Sequence, residues 1–420
     1  MPPVLEKKQL VLFFYAFTIS GMVLSPYLLS VGMIALAVLS LITFRITRTS
    51  FKLGIDWAAI GRMRNLLAYP TYAILTLFFF VVLIGPLPTD DSTYWLTRLR
   101  IKLPFLGLPL VFLGHPPLKR KAFFGLLYFL LVLMLLTAIG VSLNYVFSYE
   151  AVQEILKKGQ PMPTPRNHIR YSLILAFSII GGGYLYQQGY YWKYRWERLG
   201  ILSITFFLLF FIHLLSVRSG LLALYMALGL LILRHIVISR HYLHGGLILV
   251  LLCSLPFFAY WLVPSFQAKV AYMKWSMEKY QEGEGDVYAD PGRIVSWEVG
   301  WSIYKEHRLT GIGYGNIRAA VEQHFEKDYP DRPQPLLPHN QFLFVLAATG
   351  WIGLLVFMVT YLFPLFYARN YRHPLMLGFY GITTTAFMIE HTIENAMGVG
   401  FYIFFLLILI THLNRLLPVK

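Results

Sequence analysis

The sequence predicts an all-α protein that crosses a membrane about twelve times. Three observations carry this. Of the 420 residues, 57% are hydrophobic and only 13% charged, and the mean hydropathy of +0.60 lies far from the balance of a soluble domain. The apolar residues fall in runs long enough for helices, since a hydrocarbon core about 30 Å thick takes roughly 20 residues per crossing; the weakly alternating segments of a β-barrel are not present. Finally, the charges between the runs alternate.

By run length the spans fall near 10–25, 27–44, 66–87, 103–114, 122–147, 171–192, 199–217, 219–238, 246–263, 340–367, 375–393 and 400–413. The fourth is short, and only Ser25 and Pro26 join the first two. The first run passes straight into the second with no small-residue cleavage site, so it reads as a retained span and not as a signal peptide. Placing both termini in the cytoplasm gathers most of the basic residues on one face. Lys7, Lys8, Arg45, Arg48, Lys52, Arg62, Arg64, Lys119, Arg120, Lys121, Lys193, Arg195, Arg198, Arg234, Arg240, Arg369, Arg372, Arg415 and Lys420 stand there against only Glu6, Asp56 and Glu197, so the formal +16 belongs to that face. This is the positive-inside pattern. The basic charge therefore sets orientation and contact with anionic membrane lipids, and gives no argument for nucleic acid.

The chain divides into 1–263 with nine spans, a long polar segment 264–338 and 339–420 with three spans. The polar segment lies outside the cytoplasm with the loops 88–102 and 148–170. No Walker-type loop is present, so ATP-driven transport by this chain alone is excluded. Cys253, the sole cysteine, sits in an apolar run, which excludes an internal disulfide and reads as packing.

Within the polar segment, Phe266, Val270, Met273, Met277 and Tyr280 make one helical stripe. "EGEGD" reads as a turn. Asp290 and Pro291 then open a helix with Ile294, Trp297, Trp301 and Tyr304 as its stripe, and with Arg293 and Trp297 on one face. "GIGYGN" (311–316) is a glycine turn ending in Asn316, the expected cap of a third helix; it reads either as a tight turn needing positive φ or as a weak likeness to a phosphate loop.

The candidate site residues lie where polar groups interrupt or border the spans. Arg218 stands alone between two apolar runs, and either snorkels to the interface or holds an anion. Arg293 has Glu298 or Asp290 as possible partners. Arg166 and His168 precede another span on the same side. His339 and Asn340 open the tenth span, where they either cap the helix or face a substrate with its tail in lipid and its head in water. Guanidinium groups suit phosphate oxygens and imidazole suits proton transfer near neutrality. Glu390 and His391, with Glu394 one turn on, are candidates for supporting the same cavity. No HExxH-type spacing occurs, and neither a metal nor another cofactor is expected.

"SVRSG" with Arg218, "DPGRIVSWEVG" with Arg293 and Trp297, "GIGYGN", and "LPHNQFL" with His339 together resemble the O-antigen ligase family, whose superfamily also holds O-antigen polymerases and protein O-oligosaccharyltransferases. The resemblance covers the whole span plan and is sharpest over 216–350. It implies a GT-C-like, metal-independent, inverting glycosyltransferase of the bacterial inner membrane with its active site in the periplasm. Such an enzyme would take a polysaccharide from undecaprenyl pyrophosphate and ligate it to the lipid A core, completing lipopolysaccharide. His339 would be the essential residue, and Arg218 and Arg293 would engage the diphosphate; the imidazole suits a general base toward the acceptor hydroxyl or an orienting hydrogen-bond acceptor for it. Arg166, His168, Trp297, Tyr314, Asn316 and Asn340 are further candidates for contact with substrate, and Glu298, Glu390 and His391 for support behind them. The acidic stretch 278–290 matches no motif of that family. A polymerase or protein O-oligosaccharyltransferase shares these features, and a lipid-linked glycan transporter shares the span count. Against the transporter stands the absence of a repeat between halves.

Overall fold

The computed structural model describes residues 5–46, 51–85, 89–282, 289–330 and 335–414. Helices α1 (Lys7–Leu24), α2 (Pro26–Leu41), α3 (Trp57–Arg64), α4 (Pro70–Ile84), α5 (Ser92–Gly114), α6 (Arg120–Phe147), α7 (Tyr149–Lys157), α8 (His168–Gln187), α9 (Glu197–Leu215), α10 (Arg218–Ser239) and α11 (Tyr242–Leu262) precede the polar segment. Its three helices are α12 (Pro264–Gln281), α13 (Ala289–Glu306) and α14 (Ile317–Asp328), followed by α15 (Gln341–Phe366), α16 (Pro374–Ile389) and α17 (Ala396–Leu413). Eight of these helices are long and apolar enough to cross a membrane, and α2, α4 and α16 are shorter apolar helices. The protein is a nearly all-helical, polytopic membrane protein.

Four expectations are corrected. The second run ends as helix at Leu41; Ile42–Ile46 (β2) and Phe51–Ile55 (β3) form an antiparallel hairpin, joined on its free edge by Leu5–Glu6 (β1). β-branched and aromatic residues favour strand there, but a strand directly after an apolar helix cannot be separated from it by run length. The fourth run is the end of a helix that begins eleven residues earlier, because α5 starts at Ser92 and carries Arg98, Arg100 and Lys102 within it, and α5 is not among the helices long and apolar enough to cross. Lys102 is fully buried against Glu394 at 2.7 Å. The eleventh run stops being helical at Ile389, and Glu390 is extended. Cys253 lies on the exposed face of α11 and does not pack inward.

The core is centred on α8, whose apolar window is 83% buried, against 17% for α11 at the periphery. Small residues let α8, α10 and α16 come close: a Cβ on Gly220 would meet Ser172, and one on Gly381 would meet Ala227. These contacts set α8 and α10 side by side with their first turns together, and bring the last turn of α16 to the same end.

In α13 Val295, Ser296, Val299, Ile303 and Tyr304 are buried, while Trp297 and Trp301 are exposed. The predicted stripe is thus split, with its two tryptophans on the outer face. The side chain of Asp290 and residues 283–286 of "EGEGD" lie outside the described residues.

Candidate functional site

The polar segment reaches the helix bundle through α15. Gly350 interrupts α15 with φ 61° and ψ −165°, a region only glycine adopts without strain. The break frees backbone groups, and the glycine turn satisfies them: Ile312 and Gly313 N–H donate to the Ala347 and Ala348 carbonyls, and Trp351 N–H donates to Arg308 O. A Cβ on Gly311 would strike the Thr349 backbone, and one on Gly350 the Leu309 backbone. "GIGYGN" is therefore a splint for a broken helix, and the phosphate-loop reading is corrected.

The first half of α15 thus held carries His339 at its mouth. Two hydrogen bonds from α13 fix the His339 main chain: its N–H donates to Ser296 Oγ at 3.1 Å, and its carbonyl accepts from Trp297 Nε1 at 2.9 Å. One turn earlier on α13, Arg293 donates to Glu390 Oε1 at 2.8 Å. The other oxygen, Oε2, lies 3.2 Å from His339 Nδ1. An ionised carboxylate only accepts, so Nδ1 carries a proton directed at Glu390. The His391 ring lies edge-on to that of His339, with centroids 5.0 Å apart.

Burial of Glu390 would push its carboxyl up, but the hydrogen bond and charge of His339, together with Arg293, hold it down at about 2. For His391, burial first and then the charge of His339 lower the pKa to about 4, against the opposing pull of Glu390 and Glu394. His391 is thus neutral near pH 7. From α8, Arg170 is buried and feels the charge of Glu390, and its Nε has no hydrogen-bond partner among the described residues. His168 interacts electrostatically with Glu390, Arg170 and Arg293.

The structure therefore gathers His339, Arg293, Glu390 and His391, with Arg170 and His168 beside them. Arg218 opens α10 next to the start of α8. Other expectations are corrected. Arg293 pairs with Glu390; Glu298 instead accepts from Tyr329. Asn340 caps α15 by accepting from Leu343 N–H. Tyr314 is 1% exposed and packs on Phe344, so it cannot stack on a sugar. Asn316 does not cap α14 with its side chain but accepts from Thr89 and from the Asp90 N–H. Arg166 is exposed and donates to Leu24 O at the end of α1.

A second, buried layer was not predicted. Gln341 accepts from Ile393 N–H and donates to Glu394, whose same oxygen pairs with Lys102. Arg98 donates to Glu394 O. This layer ties the opening turn of α15 to the loop that carries Glu390 and His391. Its only signal in the sequence is the cluster of cations within α5.

His339, Glu390 and His391 bring ligand atoms within 4.8 Å of one another, a grouping that can hold a metal ion. Both Glu390 oxygens, however, are already engaged, and a cation there would lie among Arg293 and Arg170. The balance of charge favours an anion.

Residues 203–358 match the O-antigen ligase family, Wzy_C. The matched stretch runs from within α9 to the second half of α15, and so contains Arg218, Arg293, the glycine splint and His339, while Glu390 and Arg170 lie outside it. The match supports a glycosyltransferase-like enzyme of the O-antigen ligase and polymerase group, acting on lipid-linked glycans. No curated protein matches the chain.

Proposed function

We propose that this protein transfers a glycan from a polyprenyl diphosphate, undecaprenyl pyrophosphate, to a sugar hydroxyl of the lipid A core, at a site facing the periplasm and without a metal. The observation that supports this best is the His339–Glu390–Arg293 chain, set beside the partnerless Nε of Arg170.

A diphosphate is already a good leaving group, so the protein must raise the nucleophilicity of a hydroxyl and absorb the charge that develops on the departing oxygens. His339 Nε2 accepts the hydroxyl proton as the oxygen bonds to the anomeric carbon. The bond from that carbon to the diphosphate breaks, and its electron pair leaves on phosphate oxygens held by Arg170, Arg218 and Arg293. Attack opposite the leaving group inverts the anomeric carbon. Glu390 stabilises the charge that forms on His339 and fixes its ring. Neutral His391 adds no positive charge that would oppose protonation of its neighbour.

The test is transfer in vitro from a lipid-linked glycan to lipid A core, to a second lipid-linked glycan or to a protein acceptor. With the true acceptor, His339→Ala should lower kcat by about 10² to 10⁴ while donor lipid still binds. Full transfer by His339→Ala would overturn the role of His339, and product only with the second lipid-linked glycan would make the enzyme a polymerase.

A further inference from the structure

Away from His339, a cleft of about 1050 Å³ opens between α7, the end of α11 and α12. Its walls combine aromatic faces with polar side chains. Tyr149, Tyr260 and Trp275 are between 41% and 45% exposed, so their faces are open to the cleft. Tyr272 stands beside Trp275, with centroids 5.7 Å apart.

These rings are held in place before any ligand arrives. Gly159 has φ +77°, and the space its Cβ would fill is taken by the Tyr272 ring. Tyr149 packs edge-on to Tyr145, whose hydroxyl accepts from Gln153 at 2.7 Å. Lys269 on α12 donates to the carbonyls of Gly159 and Gln160, which locks the two walls together. Charge on the α7 wall is balanced, with Glu150 and Glu154 set against Lys157 and Lys158. A polyanion finds no net attraction there.

The helix that forms one wall of the cleft also reaches toward the site. α12 begins against the corner between α9 and α10, where Ser265 donates to Leu214 O just before Arg218, and Lys269 interacts with His168. Fixed aromatic faces beside carboxylates, amides and ammonium groups match a sugar chain, which presents C–H faces to rings and hydroxyls to polar groups.

We propose that the cleft between α7 and α12 binds a neutral oligosaccharide, holding sugar units beyond the one that reacts at His339. This rests on the glycan reading given above, but binding is measured without catalysis. The full chain in detergent is titrated, by saturation-transfer NMR and thermophoresis, with malto-, manno- and galacto-oligosaccharides, with oligogalacturonate and with phosphocholine.

At least one neutral oligosaccharide should bind the wild type and His339→Ala alike. Trp275→Ala and Tyr272→Ala should each weaken it about 2- to 12-fold. Gly159→Ala should do so through Tyr272, and Trp261→Ala, on the outer face of α11, should not. Melting curves matching the wild type confirm that each variant is folded. No binding of any neutral sugar, unchanged affinity in the two ring variants, or preference for oligogalacturonate or phosphocholine would overturn the proposal. Sugar binding by a chain that transfers normally as His339→Ala would instead retain the cleft and remove the catalytic reading.

Discussion

At the residue scale, Glu390 decides what the site can do. Its carboxylate faces Arg293 and His339 at once, and those partners hold its pKa at about 2 against the effect of burial. Because the folded pKa lies below the ordinary 4.5, the carboxylate is ionised at every pH at which the enzyme would work, and its stabilising contribution fades only as pH falls from about 4.5 toward 2. Glu390→Gln keeps the shape and removes the charge. Transfer should fall on the order of 10²-fold, by the same factor at pH 5 and pH 8. A loss confined to the acid side would mean that Glu390 titrates in the working range, contrary to its pairing. Of the residues gathered here, His339 was legible in the sequence because it stands at the edge of an apolar run, and Arg293 because it shares a helical face with Trp297 in the polar segment. Arg170 was overlooked: one more arginine in the first turn of a span reads as an interfacial anchor until α16 places Glu390 near it.

At the scale of elements, the site depends on a helix that does not run straight. Gly350 lets α15 turn, and the 311–313 turn takes over the hydrogen bonds that the break leaves open. Nothing in "LAATGWIGLL" marks a break, since a single glycine is common in membrane helices and its φ is set by the turn that docks on it. Gly350→Ala would combine a disfavoured φ/ψ, about 1–3 kcal/mol, with a clash against Leu309. A lower melting temperature and a fall in transfer are expected together, because the half of α15 that carries His339 would be displaced; full activity would show that the kink does not position it. The buried Lys102–Glu394 pair makes a second brace. Residues 292 positions apart leave no local trace of such a contact. Lys102→Met strands a buried carboxylate and should destabilise by about 3–5 kcal/mol, whereas Lys102→Met with Glu394→Gln should recover most of that. A double variant as unstable as the single one would locate the effect in packing around Lys102 and not in its charge.

At the scale of the whole molecule, the polytopic helical character was legible because lipid imposes it: a run of apolar residues must be helical. What one dimension could not show is which helix ends converge. That follows from small residues such as Gly220 and Gly381, which seat α8, α10 and α16 together. The resulting axis makes a prediction about orientation. Gln160 precedes α8 at the end of the bundle near His168, whereas Arg195 follows α8 at the opposite end. If the lone charge-rich face is cytoplasmic, the His339 site opens to the periplasm, where the proposed polyprenyl donor would lie with its tail in the outer leaflet. The single native cysteine makes this measurable, since Cys253→Ser leaves a background with no other thiol. In that background Gln160→Cys should react with a membrane-impermeant maleimide in cells whose outer membrane has been permeabilised, and Arg195→Cys only after the inner membrane is broken. The reverse pattern would put His339 in the cytoplasm, where nucleotide-activated sugars are at hand, and a lipid-linked diphosphate donor would no longer be needed to account for the site.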